Sequence, residues 1–184
     1  MKAGVRYAAM ASGTIKGRDR ALLVCMIFRD GYMEGMLSTS VGVDGTDSTV
    51  RIIRMLGSSR FGEQVRILLF NGIAVAGLNI IDTAELERKL KAKVVLLNRR
   101  RQDARELIRA LRGFSRASKS DVSGRVKLVK DYSSVKPIRA NGLFMQSSLE
   151  SHYVERFAGK AFEALRIAHI VASGLSAGES RGRL

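Results

Sequence analysis

An α/β fold, with a mixed sheet carrying helices on both of its faces, is what this sequence predicts, on three observations. Continuous apolar runs, ALLVCMIF, VRILLF and KVVLLN, have the composition of strands covered on both sides. Segments with helical spacing of their apolar residues, VRIIRMLG, TAELERKLK and QDARELIRALRG, lie between and after them. The two kinds alternate, which is the order that builds a three-layer arrangement with right-handed crossovers between parallel strands.

The elements follow in chain order. Val5 to Met10 is a short apolar strand, followed by the loop SGTIKGRDR. ALLVCMIF and YMEGMLSTSVGV are joined by Arg-Asp-Gly, a turn signal, and read as a β-hairpin. DGTDST offers several capping oxygens ahead of VRIIRMLG, a helix expected to end near Gly57. VRILLF is a buried strand, NGIAVAGLNIID a glycine-punctuated loop, and Asp82 a cap for the helix TAELERKLK. KVVLLN is the next buried strand, before the arginine-striped helix QDARELIRALRG. Residues 113–124 look like an exposed connection, and RVKLVKDY and LFMQSSL like two more strands. A helix from about Glu150, with a break near Gly159 and a polar tail, closes the chain. No internal repeat or long linker interrupts the order, so residues 1–184 read as a single domain.

The charge narrows the function. Formal net charge is +15 with a pI near 10.7, and from Arg88 to Lys130 fifteen Lys/Arg stand against three Asp/Glu. A polyanion is the implied partner. Nucleic acid suits it better than a membrane, because no basic amphipathic helix carries bulky aromatic anchors; a merely solvated basic surface is the plainer alternative. No apolar run approaches the ~20 residues that span a bilayer, and the N-terminus is too short in apolar residues for a secretory signal. A cytoplasmic location is therefore expected. The one cysteine, Cys25, lies in an apolar run and reads as a buried free thiol.

Four groups of residues are candidates for chemistry or binding. Arg101, Arg105, Arg109 and Arg112 recur along one ridge of a predicted helix, with Leu107, Ile108 and Leu111 opposite; such a ridge can follow phosphates without reading sequence. Asp44 and Asp47 lie between a strand end and a helix start, where two carboxylates can share a divalent cation or simply cap a helix and a turn. Asn71, Gly72, Gly77, Asn79 and Asp82 form a tight loop at a strand's carboxyl end, the usual rim of an α/β site, although no Walker A or dinucleotide motif is present. Arg166, His169 and Ser173 make a polar stripe on an apolar helix whose buried face is Leu165, Ala168, Ala172 and Leu175. His169 there is either a satisfied core histidine or a site-facing group, while His152 looks like a surface residue.

The runs YMEGMLSTSVGVDGTDST, NGIAVAGLNIID and LRIAHIVASGL with the closing GESRGRL resemble an archaeal protein family labelled endonuclease dU, from about Arg6 to the C-terminus. That family is similar to endonuclease V. The resemblance implies an RNase H-like sheet and a metal-dependent nuclease ancestry acting on damaged or deaminated nucleic acid. Asp44, Gly45 and Asp47 match the family's strand-end site, and Asn71–Gly72 the central strand tip where a metal-binding aspartate is expected. His169 matches the helix position facing the metals, and Arg166 the arginine before it. The family's first strand usually ends in Gly-Ile-Asp-Asp-Gly; aligned on Arg6 and Gly13 this chain reads AMASG, with Ala11 and Ser12 in place of both carboxylates.

The resulting expectation is a divergent endonuclease-like protein that binds nucleic acid through its basic segment. Asp44 and Asp47 would hold one Mg2+ or Mn2+, and His169 would serve as ligand or general acid/base. The rival is a non-catalytic nucleic-acid-binding or scaffold module, with a homodimer allowed. A third reading is a phosphate binder at the loop from Asn71 to Gly77.

Overall fold

A computed structural model describes residues 4–15, 17 and 19–180. The apolar runs form β1 (Arg6–Ser12), β2 (Arg20–Arg29), β3 (Tyr32–Gly42), then, after α1 (Ser48–Gly57), β4 (Val65–Phe70). The short β5 (Ala74–Val75) and β6 (Asn79–Ile80) precede α2 (Thr83–Leu90), β7 (Lys93–Asn98), α3 (Ala104–Ser118) and α4 (Ser123–Ser133). The chain ends with β8 (Ile138–Ala140), β9 (Leu143–Ser147) and the long α5 (Ser151–Ala177).

Seven strands form one sheet in the order β3-β2-β1-β4-β7-β9-β8, and β5 and β6 pair separately. β1, β4 and β7 run parallel in the middle, and the outer strands are antiparallel. Three carboxyl ends therefore lie side by side. The hairpin turn between β2 and β3 is made by Asp30 and Gly31, both at positive φ (52° and 98°), the conformation that suits a two-residue turn to the twist of its strands.

Side chains of a strand alternate between faces, and the core divides accordingly. Ala8, Met10, Leu68, Phe70, Val94 and Leu96 face the layer built by α1, α2, α3 and α4. Tyr7, Ala9, Ala11, Ile67, Leu69, Val95 and Leu97 face α5 alone. One 27-residue helix covers that face because its inner stripe is mostly alanine, Ala158, Ala161, Ala164, Ala168 and Ala172, which lets it lie close to the sheet. Tyr7 stacks on Phe28 and meets Phe157 edge-on beneath it. Cys25 is fully buried in the opposite core, where burial pushes its thiol up to about 12.

Four expectations are corrected. RVKLVKDY lies in α4, not in a strand: its apolar residues mimic alternation, but the buried set Val122, Arg125, Val129, Tyr132 has helical spacing. Residues 113–124 are not one exposed connection, since α3 continues to Ser118 and α4 starts at Ser123. Helix α5 passes Gly159 unbroken, and Leu175 is 60% exposed because the last turn projects beyond the strand tips. The closing GESRGR extends past Ser180, outside the described residues. No helix among the described residues is long and apolar enough to cross a membrane.

Candidate nucleic-acid interface and strand-tip cleft

The alternation that divides the core also sorts the strand tips. Ala11 of β1 faces α5, and continuing the alternation past the strand ends puts Gly13, Asn71 and Arg99 on the α5 side and Ser12, Gly72 and Asn98 on the other. Two contacts fix α5 across these tips. The Arg99 guanidinium sits 5.2 Å from the centre of the Phe162 ring. At the far end a Cβ on Gly13 would lie 2.6 Å from Ser176 Oγ, which accepts a hydrogen bond from the Thr14 N–H at 2.8 Å. His169 is seven residues, about two turns, from both Phe162 and Ser176, hence on the same flank of the helix and between them. The β4 tip before Asn71 lies between those of β1 and β7, so Asn71 and His169 belong to the same strand-tip region.

The His169 ring is half-buried, and its side chain has no hydrogen-bond or ion-pair partner among the described residues. Burial holds its pKa below the ordinary histidine value, which favours the neutral ring. Arg166 leaves the cleft. It is exposed and grips Glu163 through two hydrogen bonds at 2.6 and 2.8 Å, the common fate of an arginine three residues from a glutamate on a helix. His152 is exposed beside Glu150, as expected of a surface residue.

Asp44 and Asp47 lie on the opposite side, against the four-helix layer. Asp47 occupies the N-cap position of α1 but does not cap it. Its Oδ1 accepts from the Gly42 N–H at 2.9 Å and from Asn79 Nδ2 at 3.0 Å, and its Oδ2 faces Arg20 and Arg51 at 3.4 and 3.5 Å. Burial pushes this carboxyl up, but the bonds from Gly42, Asn79 and Arg20 and the Arg20 charge outweigh it and hold the pKa below the ordinary aspartate value. Asn79 completes the knot: its Nδ2 also donates to the Gly42 carbonyl at 2.9 Å, and its Oδ1 accepts from the Ser48 N–H at 3.3 Å. Asp44 has φ 53°, and its Oδ1 accepts from the Leu78 N–H at 2.7 Å; a Cβ on Gly77 would run into the carboxylate. The buried Arg125 donates to the Asp44 and Leu78 carbonyls at 2.7 and 3.2 Å, with Phe114 of α3 over its guanidinium.

The expected grouping of Asp44, Asp47 and His169 is thus not assembled. The histidine lies on α5, whereas the two carboxylates contact groups of the β3–α1 connection, the loop around β6 and β2; both oxygens of Asp47 and Oδ1 of Asp44 are engaged, Asp47 by backbone, Asn79 and two arginines, Asp44 by the Leu78 N–H. The Mg2+ or Mn2+ implied by the resemblance does not fit the residues present: Ala11, Ser12 and Asn71 offer no charge, and no group of three or more His, Cys, Asp or Glu among the described residues is placed to hold a metal.

The arginine ridge is real but shifted. Arg105, Arg109, Arg112 and Arg116 lie on α3, whereas Arg101 precedes it in the β7–α3 loop, because Asp103 caps the helix by accepting from the Arg105 N–H at 2.8 Å. Arg105, Arg109, Arg112, Arg116 and Lys130 of α4 surround a depression of about 790 Å³ whose lining holds no carboxylate. None of the five has an ion pair among the described residues, while Arg6, Arg20, Arg29, Arg51, Arg88, Lys93, Lys127 and Arg166 each face a carboxylate. Arg116 and Lys130 were missing from the sequence-based set. Arg116 continues the spacing by four, and Lys130 joins only because α4 packs beside α3.

Comparison with known proteins agrees with this architecture. The family model described as Endonuclease dU matches residues 3–176. A UPF0215 protein of Methanothermobacter thermautotrophicus is 34% identical over 175 residues, covering 92% of this chain and 85% of the relative. One from Archaeoglobus fulgidus is 32% identical over 157 residues, covering 83% and 84%. A solved Archaeoglobus fulgidus protein of unknown function superimposes with a TM-score of 0.82 at 28% identity, over 94% of this chain and 99% of that one. Human endonuclease V gives 0.52 at 11% identity over 92% and 83%. Ciona intestinalis endonuclease V, solved with a 24mer DNA containing an inosine followed by a ribo-adenosine, gives 0.50 at 10% identity over 90% and 82%. The last two show a shared fold, the RNase H-like arrangement of endonuclease V; by the match along nearly its whole length, the chain belongs to the endonuclease dU family.

Proposed function

We propose that this protein binds nucleic acid by laying the phosphate backbone along the arginine face of α3, and that its strand-tip cleft does not carry out carboxylate-held two-metal hydrolysis. The observation that carries the first part is a concentration of cations: Arg105, Arg109, Arg112, Arg116 and Lys130 surround one depression whose lining holds no carboxylate, and none of the five has an ion pair among the described residues. Five such cations suit a sequence-blind grip whose strength comes from counterion release. The DNA in the Ciona endonuclease V structure supports the same class of partner for this fold.

Against hydrolysis stands the chemistry of the tips. Two-metal cleavage needs anionic ligands that keep the cations roughly 3.5–4 Å apart, and Ala11, Ser12 and Asn71 supply none. Among the described residues at these tips, the unpaired His169 is the group suited to exchange a proton near neutral pH.

The test has two arms. Anisotropy of labelled duplex and single-stranded oligonucleotides, titrated at rising salt, should give a log–log slope of about −4 for a five-cation grip; a flat response removes the arginine-face reading. Deoxyuridine- and deoxyinosine-containing DNA incubated with Mg2+ or Mn2+ should stay intact. Cleavage that disappears in His169→Ala would overturn the second part while leaving the first.

A further inference from the structure

The sheet has two edges, and only one of them is blunted. β8 ends one side with three residues, short enough to offer little to a passing strand. β3 ends the other with eleven and pairs with β2 alone. Its hydrogen bonds show which main-chain groups face outward. The Val43 N–H extends the ladder to the Asp19 carbonyl at 2.8 Å, whereas the Gly42 N–H and carbonyl turn away to Asp47 and Asn79, both at 2.9 Å. Register is unbroken from Gly35 to Gly42, so the groups of Met36, Ser38 and Ser40 point outward as those of Gly42 do. The Ser40 carbonyl is held by Arg20 at 2.7 Å, while the main chain of Met36 and Ser38 meets no partner on that side among the described residues.

The usual guards of an edge are missing from this stretch. Met36 to Ser40 reads MLSTS, with no proline and no charge. The bulge of the strand lies before it, and its one carboxylate, Glu34, is held by Arg6 and Arg29 of the neighbouring strands at 2.6 and 2.5 Å. The two faces beside the edge differ. Met33 and Met36 stand opposite Phe28 and Met26, on the α5 side, and stay 58% and 46% exposed, because α5 lies over β1 and β2. On the helix-layer side, β3 and α1 enclose a groove of about 390 Å³ lined by Leu37, Thr39, Arg51, Arg54, Met55 and Ser58, with no carboxylate in the lining. Arg51 faces Asp47 at 3.5 Å; Arg54 is exposed and has no ion pair among the described residues.

We infer that the β3 edge takes up an extended acidic peptide of another protein as a further strand of the sheet. The peptide main chain bonds to Met36, Ser38 and the Ser40 N–H, and its side chains alternate between the two faces. Acidic residues on the α1 side meet Arg54 and Arg51. Apolar residues on the other side lie on Met33 and Met36, whose unbranched side chains adapt to varied shapes. Charge decides the occupant. A second copy paired antiparallel about a two-fold axis brings the two α1 helices together on one face, setting Arg51 and Arg54 against their counterparts between chains of net charge +15. Nucleic acid neutralises the arginines but offers no alternating N–H and C=O groups to the edge. The site is separate from the arginine face of α3 and does not depend on the nucleic-acid-binding reading.

Anisotropy titrations of the full chain with fluorescein-labelled, end-capped peptides test this. The probe is Val-Glu repeated four times. Its controls are the same residues in two blocks, Val-Lys repeated four times, and the probe N-methylated on either alternate set of amides. The probe should bind, and the block and lysine peptides should bind about tenfold more weakly or not at all. Methyl groups on the amide set that faces β3 should cost about tenfold, the scale of two hydrogen bonds, and on the other set less than about twofold. Arg54→Glu should weaken the probe about three- to tenfold with an unchanged urea midpoint. Ser38→Pro removes an outward N–H without touching the β2–β3 ladder and should weaken it about as much. Equal affinity for the probe, the block peptide and both methylated forms is attraction of any anion to a cationic chain and overturns the inference, as does no binding at millimolar peptide. A doubling of mass in sedimentation that Ser38→Pro abolishes gives the edge to a second copy. A single-stranded oligonucleotide that displaces the probe and is weakened equally by Arg54→Glu gives the groove to nucleic acid. Either result overturns the peptide.

Discussion

The two sides of the strand tips use similar residues for opposite ends. On the helix-layer side, Asn79 and Asp47 are locked to Gly42 and Ser48, and every polar atom of the knot serves to hold the loop that leads from β3 into α1. On the α5 side, Asn71 is exposed and His169 has no partner among the described residues. The difference teaches that a carboxylate at a strand tip is not by itself a sign of chemistry. What matters is whether its oxygens remain free, and here Ala11 and Asn71 on the free side carry no charge while both oxygens of Asp47 on the other side are engaged.

Paired substitutions on the two sides should separate them most. Asn79→Leu should lower stability by roughly 3 kcal/mol, because it orphans the Ser48 N–H and the Gly42 carbonyl and strips a bond from Asp47. Asn71→Leu, the same change on the open side, should stay within about 0.5 kcal/mol. Urea unfolding measures both, and equal losses would erase the distinction. Restoring charge to the open side should come next. Ala11→Asp with Asn71→Asp should cost about 2 kcal/mol in metal-free buffer, since position 11 is buried against α5. Mn2+ should recover much of that loss in the double variant and shift the wild type not at all. Recovery in neither would mean that the cleft lacks the shape for a cation.

The smallest effect is a step in the pH profile. His169 has a lowered pKa, so the folded state binds fewer protons than the unfolded one below the ordinary value of 6.5. Stability is then full above 6.5 and declines as pH falls through the folded value. His169→Gln should flatten that upper step. Asp47, lowered from 3.8, contributes a second loss only below 3.8, as pH falls through its own folded value, and Asp47→Asn should flatten that one alone. Thermal unfolding from pH 8 to 3 reads both steps, and one merged step unaffected by either substitution would contradict the separate environments.

Much of the fold was legible because its signals are local. Asp30–Gly31 announces the hairpin, VRILLF and KVVLLN announce buried central strands, and Asp82 caps α2 as its position suggests, accepting from the Glu85 N–H at 2.8 Å. α4 was illegible as a helix because Val126 and Leu128 alternate with lysine and valine in a way a strand would share, and only packing reveals the stripe from Val122 to Tyr132. The site failed for a different reason. Asp47 turns back to Gly42 instead of forward into α1, a choice decided by Asn79, which is 32 residues away in sequence and a neighbour only once β6 is folded.

Arg125 joins these regions mechanically. A guanidinium fastened to two carbonyls of separate loops and pressed under Phe114 makes the α3–α4 pair and the β3–α1 connection a single stiff lever. A strand held on the arginine face, as proposed, would therefore pull on the Asp44 loop through Arg125, so that a load on α3 would reach the edge of the sheet.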